Sequence, residues 1–146
     1  MTSMASAAVG AVVAALSAAP AVASQVARVR LRPLAATTAQ AVVVRPMQSQ
    51  VTDQTIMATG LPVSWTTAIS VECYARSSVA TAPDVAVDAL VESVYARLMA
   101  DTTLGGAVLT LAPKDITWEF DADGEQTTCV SLVFLARHRS PGVTLS

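Results

Sequence analysis

The clearest change in the spacing of apolar residues runs from helical spacing in residues 83–100 to alternation on both sides of a turn in residues 115–137. In the first segment apolar residues recur every three or four positions, which is typical of a helix with one buried face. They are Val87, Leu90, Val91, Val94 and Leu98. The alternation in the second segment predicts two strands, and the sequence Asp-Ala-Asp-Gly at 121–124 marks the turn between them. A helix followed by a hairpin is therefore the most constrained part of the fold.

The start of this helix is predicted from its first residues. Thr81 offers a capping hydroxyl, Pro83 presets the first turn, and Asp84 places negative charge near the positive end of the helix. Gly105-Gly106 then breaks the chain, and the apolar run at residues 107–111 predicts a short strand before the hairpin.

Alternation also predicts strands in the first half of the chain. Residues 27–32 alternate between apolar residues and arginines, which predicts a half-buried strand with an arginine row on one face. A second apolar run, residues 41–44, ends at Arg45-Pro46, as expected at a strand end or edge. Residues 63–74 alternate well and predict a third strand. Between these strands, residues 47–62 are polar and predict a long mobile loop or a protruding hairpin.

The amino-terminal segment carries no charged side chain before Arg28. Residues 5–19 are almost all small and apolar, with Val9, Val12, Val13 and Leu16 on one helical stripe, and Pro20 follows them. A signal peptide or a membrane span is less favoured, because no Lys or Arg precedes the run and alanine contributes little to insertion. We expect a helix that is buried on more than one side, which suggests a neighbouring subunit.

Length and composition define the fold class. The 146 residues fit a single domain, 1–146, and the element order predicts an α+β fold: an antiparallel or mixed sheet of four to five strands packed with two helices. The chain is 53% hydrophobic and only 14% charged, against about 25% charged in typical soluble domains. Such a chain exposes apolar patches as a monomer, so we expect an oligomer. The net charge of −2 provides no basic field for nucleic acid.

Residues with catalytic or ligand-binding chemistry are sparse. His138, the only histidine, is flanked by arginines whose charge is expected to oppose its protonation, and no nucleophile motif accompanies it. Asp121, Asp123 and Glu125 lack the remaining ligands of a calcium loop, and Gly105-Gly106 lacks the pattern of a phosphate-binding loop. We therefore expect no enzyme activity, no metal and no cofactor.

Arginines provide the charge feature with most functional interest. A guanidinium pairs bidentately with carboxylates or phosphates, so an intersubunit salt-bridge row is one interpretation, and a solvated strand face is the other. The candidate interface residues are Arg28, Arg30, Arg32 and Arg45. The predicted loop offers candidate contacts to neighbouring proteins at Gln48, Gln50, Thr52, Asp53 and Gln54.

Four segments together resemble one known family. They are ISVECYARS at 69–77, the helix at 86–98, DTTLGG at 101–106 and VFLARHR at 133–139. In this order they resemble the tail terminator proteins of long-tailed bacteriophages, the minor tail protein U group. The specific residues lie between positions 63 and 139, and residues 47–62 have no counterpart in the family pattern.

This resemblance implies a structural role. It implies a hexameric ring that caps the tail tube at its final length, stops addition of tube subunits and binds head-completion or neck proteins. The implied partners are the protein itself and the major tail tube protein, with double-stranded DNA passing through the lumen only as cargo. The implied location is the head-proximal end of the phage tail in the virion, with assembly in the host cytoplasm and no membrane contact.

Two other interpretations remain open at this point. One is a head-to-tail connector or neck protein, which also forms rings. The other is a secreted or periplasmic binding domain in which Cys73 and Cys129 form a disulfide, although two thiols in a domain of this size also fit small buried residues.

Overall fold

Two helices and five strands form the protein in a computed structural model that describes residues 2–29, 39–53, 61–76, 82–120 and 127–145. The elements are α1 (Met4–Ser17), β1 (Val26–Arg28), β2 (Gln40–Asp53), β3 (Val63–Arg76), α2 (Pro83–Ala100), β4 (Thr110–Phe120) and β5 (Thr127–Ser140). The strands form one sheet in the order β1-β2-β3-β5-β4. Only β1 runs parallel to its neighbour; the other pairs are antiparallel. The predicted α+β class with a mixed sheet and two helices is confirmed.

Both helices pack on the same face of the sheet. The central strands β3 and β5 pair along their whole lengths, with Val71 opposite Leu132 and Ile69 opposite Phe134, and all four side chains are almost fully buried. The inner residues of α2, predicted from their spacing, complete this core together with Val9, Val12 and Leu16 of α1. The Tyr95 ring of α2 lies 6.4 Å from the Phe134 ring. We call the other side of the sheet, which faces away from both helices, the open face.

A single arginine ties the two helices together. Arg97 of α2 donates from Nη1 to the carbonyl oxygens of Ala15 and Ala18, both at 3.0 Å, and from Nη2 to that of Pro20 at 2.7 Å. The last carbonyls of a helix have no partner inside the helix and carry partial negative charge, so they favour a cation. Arg97 thus closes the carboxyl end of α1.

The DTTLGG segment forms a turn held by its own aspartate. Asp101 accepts hydrogen bonds from the backbone and hydroxyl of Thr103 and from the backbone N–H of Gly105, and these bonds lower the pKa of its carboxyl. Leu104, Gly105 and Gly106 all have positive φ, which explains the glycine pair at the end of this turn.

The structure corrects two strand predictions in the first half. The strand predicted at residues 27–32 ends at Arg28, because Val29 adopts a φ of 40° and breaks the alternation; residues 30–38 lie outside the described part. The strand predicted at 41–44 is part of the 14-residue β2, which continues past Pro46. Its pairing with β3 extends across two register shifts, one between Pro46 and Gln48 and the other between Val51 and Asp53. The predicted loop at 47–62 therefore begins as strand, and the hairpin alternative fits the antiparallel β2 and β3.

Two smaller predictions also change. Residues 107–109 form part of the turn, so the predicted short strand at 107–111 is reduced to Thr110 and Leu111, the first residues of β4. The helix α2 has the predicted bounds, but its N-cap is Ala82 without a side-chain cap; Thr81 lies outside the described residues.

Truncation of a leucine in α2 tests this account of the core. Leu98→Ala is expected to lower the free energy of unfolding by about 2–5 kcal/mol, because Leu98 is fully buried and the change leaves a cavity. Leu109→Ala is the matched control, since Leu109 is 58% exposed and should change stability little. Denaturant unfolding measures both, and equal losses would contradict the packing described.

Candidate functional site

A shallow groove crosses the open face of the sheet. Its volume is about 610 Å³. One wall is formed by β2 and the other by β4, with mostly small side chains of β3 and β5 as the floor. The lining residues are Arg45, Met47, Gln48, Ala68, Ser70, Glu72, Lys114, Asp115, Thr117, Ser131 and Val133. This groove and the strand ends around it are the candidate functional surface.

Glu72 organises the β2 side of the groove. Its carboxylate accepts a hydrogen bond from Arg45 Nη2 at 2.6 Å and another from the Tyr74 hydroxyl at 2.8 Å. The hydrogen bond with Glu72 raises the pKa of Arg45. The pKa of Tyr74 is also raised, mainly by burial and secondly by its hydrogen bond with Glu72. Arg45 is therefore held over the groove while about half of its side chain stays exposed.

The candidate arginines do not form one row among the described residues. Arg28 pairs opposite Val44, on the helix side of the sheet, and its Nη2 donates to Ser6 Oγ of α1 at 2.6 Å. Arg45 lies on the open face. Arg30 and Arg32 lie outside the described residues, so an interface role for the four arginines stays a prediction.

The polar residues predicted as contacts lie on the extended end of β2. Gln48, Gln50 and Thr52 are exposed on this strand, and the hydroxyls of Thr52 and Thr66 lie 2.5 Å apart. Asp53 is the last residue of β2, but its side chain lies outside the part of the chain that the structure describes. Gln54 lies outside that part altogether. We call residues 45–53 of β2 the β2 arm.

Arg137 and Arg139 form an arginine pair that was not predicted from the sequence. Arg137 and Arg139 alternate with the buried residues Ala136 and His138 on β5, so both project from the open face, and both are exposed. Neither guanidinium group makes a hydrogen bond or an ion pair with another described residue. The signal in the sequence was their spacing of two residues at the end of the second hairpin strand.

His138 belongs to a buried polar chain on the helix side of the sheet. It is 4% exposed, its Nε2 lies 2.7 Å from Thr67 Oγ1, and Thr67 lies 2.7 Å from the Ser49 hydroxyl. Burial lowers the pKa of His138. The predicted cause was therefore wrong: alternation along β5 puts the neighbouring arginines on the opposite face. In the described residues no carboxylate contacts His138.

The two cysteines are free thiols on opposite faces of the sheet. Cys73 pairs opposite Val130 and faces the helices, whereas Cys129 pairs opposite Tyr74 and faces away from them. Burial raises the pKa of Cys73 to about 12, so its thiol stays protonated and inert. This arrangement removes the disulfide on which the secreted interpretation depended.

The residues that the structure describes contain no group of three or more histidine, cysteine or acidic side chains placed to hold a metal ion. No helix among them has the length and apolarity needed to cross a membrane.

Comparisons with known proteins found a likeness in fold but no related family. No protein-family model matches the chain, and no curated protein matches it. The chain is similar in fold to a chain in the virion of a native gene transfer agent particle, with 14% sequence identity and a TM-score of 0.47. The likeness covers 88% of this chain and 84% of the other. It concerns the course of the backbone and assigns no function.

The burial of His138 predicts a pH dependence of stability. Because its pKa is lower in the folded than in the unfolded chain, the unfolded chain binds more protons, and stability falls as the pH drops below about 6.5. Unfolding free energies measured from pH 7.5 to 5 should show this slope. In His138→Gln, which has no imidazole, the slope over this range should flatten, and an unchanged slope would refute the assignment.

Proposed function

We propose that the protein is a tail terminator of a long-tailed bacteriophage, a ring-forming subunit that caps the tail tube. In this role a hexameric ring ends tube polymerisation and presents a surface to head-completion or neck proteins, while double-stranded DNA passes through the lumen. The protein acts through its surfaces, without catalysis.

The observation that carries this proposal is that parts of β2 and β4, on the two sides of the central strands, are left uncovered by the rest of the subunit. Every residue from 45 to 52 of β2 and from 112 to 120 of β4 is exposed, on both faces of the sheet. On β4 these include Ile116, Trp118 and Phe120, which are 47%, 43% and 53% exposed. Strands that are exposed on both faces and carry large apolar side chains are typical of surfaces that other subunits cover.

The segments that resemble tail terminators also form one packed unit. Residues 69–76 of ISVECYARS form the end of β3, and VFLARHR lies near the end of β5; these strands pair directly, with Ile69 opposite Phe134. The helix α2 packs on both strands, and the DTTLGG turn connects it to β4. The resemblance therefore rests on residues that are neighbours in space, which supports a shared architecture.

Purified protein mixed with tail-tube subunits tests the proposal. A terminator should bind the ends of preformed tubes and shorten the tubes formed when it is present during polymerisation, both visible by negative-stain electron microscopy. Binding to portal complexes instead of tube ends would replace the terminator assignment with a neck protein. Binding to neither would reject both.

The β2 arm is the proposed contact with neighbouring tail proteins. The double variant Gln48→Ala/Gln50→Ala should weaken tube-end binding by about ten-fold, because each lost side chain removes polar contacts at an interface. Ser17→Ala, an exposed polar residue at the end of α1, is the control and should bind as the wild type does. Equal binding by all three proteins would place the tube contact elsewhere.

A further inference from the structure

The outer face of α2 carries an acidic stripe with no partner in the described chain. Asp84, Asp88 and Glu92 are spaced four residues apart, so they lie above one another on one side of the helix, and all three are exposed. None of the three carboxylates makes a hydrogen bond or an ion pair with another described residue. Beside them lie the exposed Val85, which is 62% accessible, and Ala89. The stripe is therefore both acidic and apolar, a combination suited to a protein contact.

The open face carries the opposite charge at one of its ends. Arg137 and Arg139 lie there, and their neighbours across β3 are Thr66 and Ser64, so no acid faces them from that strand. From β4 the neighbour of Arg137 is Thr110. At this end of the open face, the guanidinium groups of Arg137 and Arg139 make no ion pair with any side chain that the structure describes.

The rest of the open face carries mixed charge. The acids there are Glu72, Asp115 and Glu119, and the bases are Arg45, Lys114 and Arg76. An acidic helix placed on this face is therefore attracted most strongly at the end that holds Arg137 and Arg139.

The dimensions of the groove fit a helix. Its walls, β2 and β4, are separated by two strands, which gives about 14 Å between their backbones, and a helix with its side chains is about 10 Å wide. The floor is made of small side chains such as Ala68, Ser70 and Ser131. Carboxylates four residues apart on a helix are about 6 Å apart, close to the roughly 7 Å between alternate residues of a strand.

We infer that α2 of one copy docks on the open face of the next copy, with the carboxylates of Asp84, Asp88 and Glu92 facing Arg137 and Arg139. The two surfaces lie on opposite sides of the subunit, so the contact is heterologous and repeats from copy to copy until the rotation closes a ring. This inference rests on the proposed function and names the subunit interface of the ring.

A second copy explains the arginines better than DNA does. The complementary acidic stripe lies on the same chain, with its carboxylates at a spacing close to that of the two guanidinium groups. The net charge of −2 also opposes attraction of DNA over longer distances.

Charge reversal of either surface tests the inference. Arg137→Glu/Arg139→Glu and, separately, Asp88→Lys/Glu92→Lys should each raise the concentration needed for assembly by about ten-fold or more, because like charges then face each other. Sedimentation velocity measures the assembly, and circular dichroism checks that each variant is folded. Added salt should weaken wild-type assembly, since it screens these charges.

Combining the two surfaces provides the matched control. The quadruple variant R137E/R139E/D88K/E92K has the net charge of the wild type and restores opposite charges between the four changed residues, so its assembly should recover at least in part. An equimolar mixture of the two double variants should also assemble, because alternating copies pair correctly.

Several results would overturn the inference. Assembly that neither double variant weakens would do so, as would failure of both the quadruple variant and the mixture to recover. A wild-type chain that stays monomeric at every concentration and salt would also reject it. Loss of duplex DNA retention in R137E/R139E with assembly intact would assign the arginines to nucleic acid.

Tube-end binding separates this inference from the proposed function. Rings that cap tubes but tolerate charge reversal would reject the interface and keep the function. Rings that depend on these charges but do not bind tube ends would keep the interface and reject the proposed function.

Discussion

The full-length pairing of β3 with β5 produces one continuous apolar surface, and the other elements are arranged around it. Side chains alternate across both strands, so Val71, Leu132 and their neighbours face the helices while the intervening residues form the open face. A slip of one residue in this register would move the whole apolar set to the other side. Both helices, the buried His138 chain and the exposed arginine pair therefore depend on the same alignment.

Much of this arrangement is readable in the sequence, and the exceptions have physical causes. The bounds of α2 and the course of β3 and β5 follow from apolar periodicity, because those elements bury one regular face. The extent of β2 does not follow from this periodicity. Beyond Pro46 the strand is exposed on both faces, and its pairing with β3 continues across two register shifts. Alternation alone also gave no warning of the positive φ at Val29.

The candidate surface was harder to predict than the fold. Arg28 and Arg45 were grouped by residue type, yet they lie on opposite faces because they belong to different strands with different partners. Arg137 and Arg139 become a pair on the open face only once β5 is placed in the sheet centre. Arg97 binds backbone carbonyls about 80 residues away in sequence, a contact that no local pattern signals.

Pro113 and the adjacent register shift in β4 have a further consequence. A long outer strand with exposed apolar side chains invites edge-to-edge pairing, and β4 exposes Ile116, Trp118 and Phe120. Pro113 offers no amide hydrogen, and the register shift between Pro113 and Asp115 interrupts the regular ladder there. The outer strand thus keeps exposed apolar side chains while its irregular backbone disfavours edge-to-edge aggregation.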